Sequence, residues 1–144
     1  MLKGIPNILS PELLKILMEM GHGDEIVLAD GNFPAASNAQ RLIRCDGHNL
    51  PDLLDAVLQL FPLDARVKKP VSLMGVDKDD NYIPEIRKDY ERIVNKYDSR
   101  FTDFEIVERF EFYARSKKAY VIVATSEMAR YANIILKKGI ITTE

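Results

Sequence analysis

The sequence predicts an α/β fold: a single three-layer domain over residues 1–144, with a largely parallel sheet and helices on both of its faces. Short apolar segments typical of strands alternate along the chain with longer segments whose apolar residues recur at helical spacing. Segments 71–76 and 119–124 are almost continuously apolar, as expected for strands covered on both faces. No repeat, low-complexity tract or linker divides the chain, and its length suits one domain.

Three helices are predicted from their first turns and their apolar spacing. Ser10 is a capping residue, followed by proline at the first helical position and by Glu12 near the positive end of the helix dipole. A helix therefore begins here and ends before Gly21. The second helix begins at Pro51, and the third extends over about residues 84–97.

Six strands are predicted from apolar runs bounded by turn residues. They span residues 25–29, 42–45, 71–76, 104–107, 119–124 and 133–137. Segment 108–118 is ambiguous, although the spacing of its aromatic residues favours a short helix, and 125–131 forms a turn or a short helix. Residues 30–40 are rich in turn-forming residues and predict a loop. The acidic segment 77–81 lacks the remaining ligands of a calcium loop and predicts a solvated loop.

The composition excludes several classes of partner. The net charge is −2 with both signs interspersed, which leaves no basic stripe for nucleic acid and no polybasic patch for a membrane. No apolar run is long enough to span a bilayer, and the first residues lack the apolar core of a signal peptide. A single cysteine, Cys45, excludes an intrachain disulfide and a cysteine-based zinc site. We therefore expect a cytoplasmic protein that binds neither nucleic acid nor membrane.

The motifs of the common cofactor sites are missing. No Gly-x-Gly-x-x-Gly follows a strand, and neither a P-loop nor a Gly-x-Ser-x-Gly elbow occurs. The two histidines, His22 and His48, stand in different segments without the paired spacing of a zinc helix. We therefore expect no cofactor and no metal. Aspartate, arginine, tyrosine, asparagine and histidine side chains remain, a set that suits proton transfer on a polar, uncharged molecule.

The segment Met20-Gly21-His22-Gly23-Asp24-Glu25 carries the strongest functional signal. Histidine can give or take a proton near neutral pH, and the glycines on both sides favour its presentation at a surface. Asp30 lies just past the following strand, where open α/β sheets gather ligand-binding groups. The structural alternative is a helix C-cap with a solvent-facing histidine.

Several segments together are similar to the family of L-fucose mutarotases and D-ribose pyranases. They are Leu2-Lys3-Gly4, residues 9–14, residues 20–30, Asn32-Phe33-Pro34, residues 43–47, residues 108–113 and residues 131–139. The resemblance extends over nearly the whole chain and is weakest between about Lys68 and Asp103. The Gly-His-Gly-Asp-Glu segment and the Tyr-x-Asn segment near the C-terminus are specific in combination.

The resemblance implies a cofactor-free enzyme that interconverts the α and β anomers of a free sugar. It implies that His22 is the proton donor, and that the sugar is held by Asp30, Arg109 and the segment Tyr131-Ala132-Asn133. Taken singly, these residues also have structural explanations. Asp30 before Gly31 suits a turn, Arg109 among glutamates suits a surface ion pair, and the Tyr131 segment suits a cap before the last strand.

The choice of sugar depends on Arg109. The fucose branch carries an Arg-Phe-x-Phe-Tyr segment like residues 109–113, whereas the ribose branch tends to have histidine at this arginine. Two positions depart from the fucose pattern: Ala132 stands where glycine is usual, and Cys45 replaces a commoner alanine. We expect L-fucose as substrate, with D-ribose or a related aldose also possible. The alternatives are a D-ribose pyranase and a non-catalytic sugar-binding or transport-accessory module.

The resemblance also implies a homodecamer of two pentameric rings, with each pocket completed by a neighbouring subunit. Two features of the chain favour an oligomer. The last strand, Asn133–Ile135, carries adjacent large apolar residues and Tyr131, a composition that would be unfavourable on an exposed sheet edge. Tyr97, Phe101 and Phe104 also crowd a segment that a monomer of this size would not fully bury.

Overall fold

A six-stranded sheet forms the centre of the computed structural model, which describes residues 1–144. The strands are β1 (Glu25–Ala29), β2 (Leu42–Cys45), β3 (Val71–Met74), β4 (Glu105–Val107), β5 (Val121–Thr125) and β6 (Ile134–Lys137). The helices are α1 (Pro11–Glu19), α2 (Ala35–Asn38), α3 (Leu50–Leu58), α4 (Ile86–Tyr97) and α5 (Arg109–Lys118). The strand order is β2-β5-β1-β6-β3-β4, and the α/β class predicted from the sequence is confirmed.

Only β6 runs against the other strands. It pairs antiparallel with β1 on one side and with β3 on the other, whereas the β1–β5, β2–β5 and β3–β4 pairs are parallel. The sheet is therefore largely parallel, as predicted. Because five strands share one direction, their carboxyl ends meet at one edge of the sheet.

The helices form a layer on each face, so the three-layer prediction is also correct. Residues of β1 alternate between the two faces. Ile26 and Leu28 pack in the core beneath α1, α3 and α4, and Val27 and Ala29 pack in the smaller core beneath α2 and α5. None of the helices has both the length and the apolar character needed to cross a membrane.

The start of α1 follows the predicted capping chemistry, and α3 has a cap that the sequence analysis did not name. The Oγ of Ser10 accepts the N–H of Leu13 at 3.2 Å, and the side chain of Asn49 accepts the N–H of Asp52 at 2.8 Å. The ambiguous segment 108–118 is helical from Arg109 onward, with the carboxylate of Glu108 as its cap. This cap places Arg109 at the start of α5, directly after β4.

Two local predictions differ from the structure. The predicted loop 30–40 contains the one-turn helix α2, because Ala35 is buried and two side chains that follow it donate to the carbonyl of Pro34. Residues 125–131 form no helix, so the turn alternative is correct. These are short segments in which a few side-chain hydrogen bonds decide the backbone conformation.

The packing arguments for an oligomer are wrong. β6 lies in the interior of the sheet, where its neighbours β1 and β3 bury Ile134, Ile135 and Leu136 within the same chain. Phe104 is buried, and Tyr97 and Phe101 pack partly buried against the core. The chain covers these apolar groups by itself, so they give no reason for assembly.

Candidate functional site

A cavity of about 260 Å³ opens at the edge of the sheet where β1 and β3 end. Its walls combine carboxylate, guanidinium, amide and phenol groups with apolar surface. They are formed by Asp30, Asn32, Phe33, Met74, Asp77, Arg109, Tyr113, Arg130, Tyr131 and Asn133. Four residues that the sequence singles out, Asp30, Arg109, Tyr131 and Asn133, therefore meet in one pocket although up to 103 positions separate them.

Asp30 is the buried carboxylate of this pocket, with 7% of its surface exposed. Its backbone N–H donates to Oδ1 of Asn133 at 2.7 Å, and its own Oδ1 accepts the N–H of Asn32 at 3.0 Å. Burial raises the pKa of Asp30, while the surrounding backbone amides and the Asn133 side chain oppose that rise. These contacts hold the carboxylate in one orientation. A group that forms hydrogen bonds with a polar ligand needs such a fixed orientation.

The segment before β6 shapes the opposite wall. Tyr131 has a φ of 55°, which makes it the one non-glycine residue in the left-handed region. Ala132 is fully buried and contributes through its backbone, because its carbonyl accepts the hydroxyl of Tyr90 at 2.6 Å. The side-chain amide nitrogen of the buried Asn133 donates to the weak acceptor Sδ of Met74 at 3.9 Å, and the same side chain lowers the pKa of Asp30. The amide therefore lies beside the Asp30 carboxylate in the pocket that both residues line.

Arg109 points toward the loop after β3. Its Nε lies 3.3 Å from Oδ1 of Asp77, and this carboxylate raises the pKa of the guanidinium. The Nε is buried, and it forms no hydrogen bond of acceptable geometry. An unpaired buried donor is unusual in a folded protein and marks a group that a ligand could satisfy. The partner is Asp77 rather than one of the glutamates beside Arg109 in the sequence.

The acidic loop 77–81 is more than the solvated turn predicted from its composition. Asp77 pairs with Arg109, and Asp80 accepts the hydroxyl of Tyr131 at 3.0 Å and forms an ion pair with Arg130. Sequence analysis missed Asp77, Arg130, Met74 and Tyr113 as pocket residues. Asp77 could have been found, since it closely follows a buried strand whose carboxyl end lies at the ligand-binding edge.

His22 lies away from this pocket. It precedes β1, whereas Asp30 follows β1, and five strand residues span about 17 Å. Within one chain the structure therefore does not bring the predicted proton donor to the predicted sugar ligands. His22 instead contacts a residue that sequence analysis missed, with its Nε2 3.1 Å from Oδ1 of Asp64. The alternative of a solvent-facing histidine is also only partly correct, because the imidazole is one-third exposed and has this carboxylate partner.

The position of Asp64 depends on a close approach of two backbones. The N–H of Asp64 donates to the carbonyl of Lys137 at 3.0 Å, at the end of β6. A Cβ on Gly139 would lie 2.4 Å from the carbonyl oxygen of Leu63, so only glycine fits there. The N–H of Arg66 and, to a smaller extent, His22 lower the pKa of Asp64. The pair is therefore an anchored carboxylate that holds a partly exposed imidazole.

The fold and the pocket define a small α/β protein with a polar cavity at the carboxyl ends of its parallel strands. The chain belongs to the RbsD / FucU transport protein family, whose model matches residues 3–141. It is 54% identical over 144 residues to the fucose mutarotase of Mus musculus, an alignment covering 96% of this chain and 94% of the mouse protein.

Solved structures agree with this assignment. The fucose mutarotase of Streptococcus pneumoniae, crystallised in complex with L-fucose, is 53% identical and superimposes with a TM-score of 0.91, covering 98% of this chain and all of that one. RbsD of Bacillus subtilis in complex with D-ribose is 24% identical with a TM-score of 0.72, which shows a shared fold alone. The similarity is thus much greater on the fucose side of the family.

Proposed function

We propose that this protein is an L-fucose mutarotase, an isomerase that interconverts the α and β anomers of the free sugar. The observation that carries the proposal is the pocket in which Asp30, Arg109, Tyr131 and Asn133 meet. It offers fixed acceptors and unpaired donors beside the aromatic surfaces of Phe33 and Tyr113, a combination suited to a small polyol. The relatives from mouse and S. pneumoniae are fucose mutarotases, and the S. pneumoniae protein was crystallised with L-fucose, which supports the same substrate.

The reaction needs two proton transfers. The ring oxygen takes up a proton as its bond to C1 breaks, and the anomeric hydroxyl loses its proton to leave an aldehyde. Rotation about the C1–C2 bond then lets the ring close on the other face of the aldehyde. We assign the donated proton to His22, with Asp64 orienting the imidazole. Positioned acid–base groups of this kind typically contribute ~10²–10⁴ in rate.

The pocket residues hold the sugar while its ring opens. Asp30 can accept hydrogen bonds from two adjacent hydroxyls, and the guanidinium of Arg109 supplies donors in a rigid planar arrangement. Asn133 can donate and accept, and Tyr131 supplies a hydroxyl and an apolar ring face. Ala132 contributes its backbone, which fixes the two residues that flank it.

The distance between His22 and the pocket of its own chain gives a functional reason for subunits to assemble. If His22 is the proton donor, it must reach the pocket of a second subunit, with the His22 edge of one subunit against the Asp30 edge of the next. Such a head-to-tail contact uses two different surfaces and forms a ring when its rotation closes. We propose a homodecamer of two five-membered rings, for which light scattering should report about ten times the 16.4 kDa chain mass. A monomer that retains full exchange activity would contradict it.

Exchange NMR tests the activity. L-Fucose, D-ribose and D-galactose are each mixed with catalytic amounts of protein, and exchange between their ring forms is measured with and without EDTA. Exchange of L-fucose anomers should rise in proportion to protein and persist in EDTA. Preferential exchange between D-ribose pyranose and furanose would favour the pyranase alternative, and no acceleration for any aldose would favour a non-catalytic binding module.

Subunit complementation tests the shared site. His22→Asn and Asp30→Asn should each be inactive, but co-expressed at equal levels they should recover activity at about a quarter of the sites, where both intact residues meet across an interface. The matched control co-expresses subunits carrying His22→Asn with subunits carrying Asp64→Asn. It should give no recovery, because His22 and Asp64 belong to the same subunit's edge.

We expect the enzyme to act in the cytoplasm, which agrees with its single, unpaired Cys45.

A further inference from the structure

Tyr131 has a hydrogen-bond partner outside the pocket wall. Its hydroxyl donates to Oδ2 of Asp80 at 3.0 Å, and Asp80 itself does not line the cavity. The backbone N–H of Asp77 lies 3.5 Å from the same phenol oxygen, at the limit of a hydrogen bond. The polar surroundings of this hydroxyl on the protein side are therefore supplied by the loop after β3.

The carboxylate of Asp80 is itself held on two sides. Its Oδ1 accepts the N–H of Tyr82 at 2.9 Å, and its Oδ2 forms an ion pair with Arg130. The backbone contact with Tyr82, followed by the contacts with Tyr131 and Arg130, lowers the pKa of Asp80. An ionised carboxylate can only accept hydrogen bonds, so the shared proton must come from Tyr131.

Arg130 also contacts the two aromatic rings of this cluster. Its guanidinium carbon lies 4.8 Å from the ring centroid of Tyr82 and 5.5 Å from that of Tyr131, and the two centroids are 6.2 Å apart. These contacts surround a residue whose left-handed backbone is unfavourable for an aromatic side chain. The loop thus holds the Tyr131 ring as well as its hydroxyl.

A phenol has one donor hydrogen and two acceptor lone pairs. When the hydrogen is committed to Asp80, the pocket sees an oxygen that can accept but not donate. We propose that Asp80 is a positioning residue that fixes Tyr131 as an acceptor toward a substrate hydroxyl. This inference rests on the proposed function, because it assigns a direction to one of the contacts that hold the sugar.

Two readouts on four variants test the proposal. The variants are Asp80→Asn, Tyr131→Phe, the double variant, and Asp79→Asn, which removes the same charge from an exposed neighbour. The first readout is the titration of Tyr131, followed by NMR of tyrosine labelled at Cζ and assigned with Tyr131→Phe. Burial and the hydrogen bond to Asp80 raise the pKa of Tyr131, while charges on Asp77 and Arg109 also face it. Asp80→Asn should shift the titration to lower pH, and Asp79→Asn should not.

The second readout is kcat/KM for anomer exchange. Asp80→Asn should reduce it about tenfold, the size expected for one lost hydrogen bond. The same substitution should have no further effect in the Tyr131→Phe background, because Asp80 acts through the missing hydroxyl. A purely structural contribution would lower the activity in both backgrounds, and circular dichroism checks that each variant folds.

Three outcomes would overturn the proposal. They are an unchanged Tyr131 titration in Asp80→Asn, an equal loss of activity with and without the Tyr131 hydroxyl, and an equal loss in Asp79→Asn. Failure of the proposed function is distinguishable from these, since it would appear as a wild-type protein without exchange activity. The titration would still decide whether Asp80 accepts the hydrogen bond of the Tyr131 hydroxyl.

Discussion

Nε2 of His22 lies 3.1 Å from Oδ1 of Asp64, although 42 positions separate the two residues in the chain. Asp64 is almost fully buried, while the imidazole remains one-third exposed. The N–H of Arg66 donates to the same carboxylate oxygen at 3.0 Å and fixes its position. An anchored acceptor on one ring nitrogen orients a histidine and defines which nitrogen faces outward. This geometry suits the proton-donor role that we propose for His22.

Replacement of His22 by asparagine should reduce anomer exchange by about two orders of magnitude or more, since it removes the proposed proton donor. Folding should be nearly unchanged, because the side chain is partly exposed between two glycines. Exchange NMR and thermal unfolding measure the two effects. His48→Asn is the matched control, because His48 is exposed and has no role in the proposed site. Full activity in His22→Asn would remove this residue from the mechanism.

Asp64→Asn should destabilise the protein in a pH-dependent way. The contacts with Arg66 and His22 lower the pKa of Asp64 in the folded state. The unfolded chain therefore binds a proton more readily, so the stabilisation is present above the ordinary carboxyl pKa and is lost as pH falls through the folded value. The Tm difference from wild type should be clear at pH 7 and smaller near pH ~3, below the ordinary carboxyl pKa.

Thermal unfolding at both pH values measures this effect, with the exposed Asp79→Asn as the control for a change in net charge. An equal Tm difference at both pH values would contradict an ionised Asp64 as the cause. Activity should also fall, since the imidazole of His22 would lose its charged partner.

Arg109→His should weaken L-fucose exchange more than D-ribose ring exchange. The guanidinium presents several donors in a fixed plane toward the pocket, and its buried Nε has no hydrogen bond within the chain. Histidine has a shorter reach and fewer donors, so the contacts to one sugar should be lost selectively. The measurement is kcat/KM for both sugars by exchange NMR. Equal losses on the two would mean that Arg109 positions any sugar without choosing between them.

Gly139→Ala should destabilise the protein by about 1–3 kcal/mol, the usual range for overpacking. The new Cβ would meet the carbonyl oxygen of Leu63 at 2.4 Å, so segment 62–64 must move. Because this segment positions Asp64, exchange should fall along with stability. Gly21→Ala serves as a stability control, since its Cβ would have an ordinary 3.7 Å contact. Wild-type Tm and activity in Gly139→Ala would show that the two backbones separate easily.

The candidate site was only partly predictable from the sequence. Asp30, Arg109, Tyr131 and Asn133 could be named in advance because they lie in motifs resembling one family, and the structure brings them together. No motif singles out Asp64, Asp77 or Asp80 among the 22 acidic residues, although Asp77 could have been found from its place just after β3. Their roles come from contacts with His22, Arg109 and Tyr131, each made across at least 32 positions. Such contacts leave no periodic signal, because they depend on how separate segments pack.

By itself, the sequence determined where the six strands and the longer helices lie and that the fold is α/β. Apolar periodicity, Ser10 as a cap and the buried run of β3 are local patterns, and local patterns report which face of an element is covered. Only the tertiary structure decided that β6 runs antiparallel in the middle of the sheet and that His22 contacts Asp64. Strand order and direction depend on pairing between distant segments. The energies of these pairings cannot be inferred from any single segment of the chain.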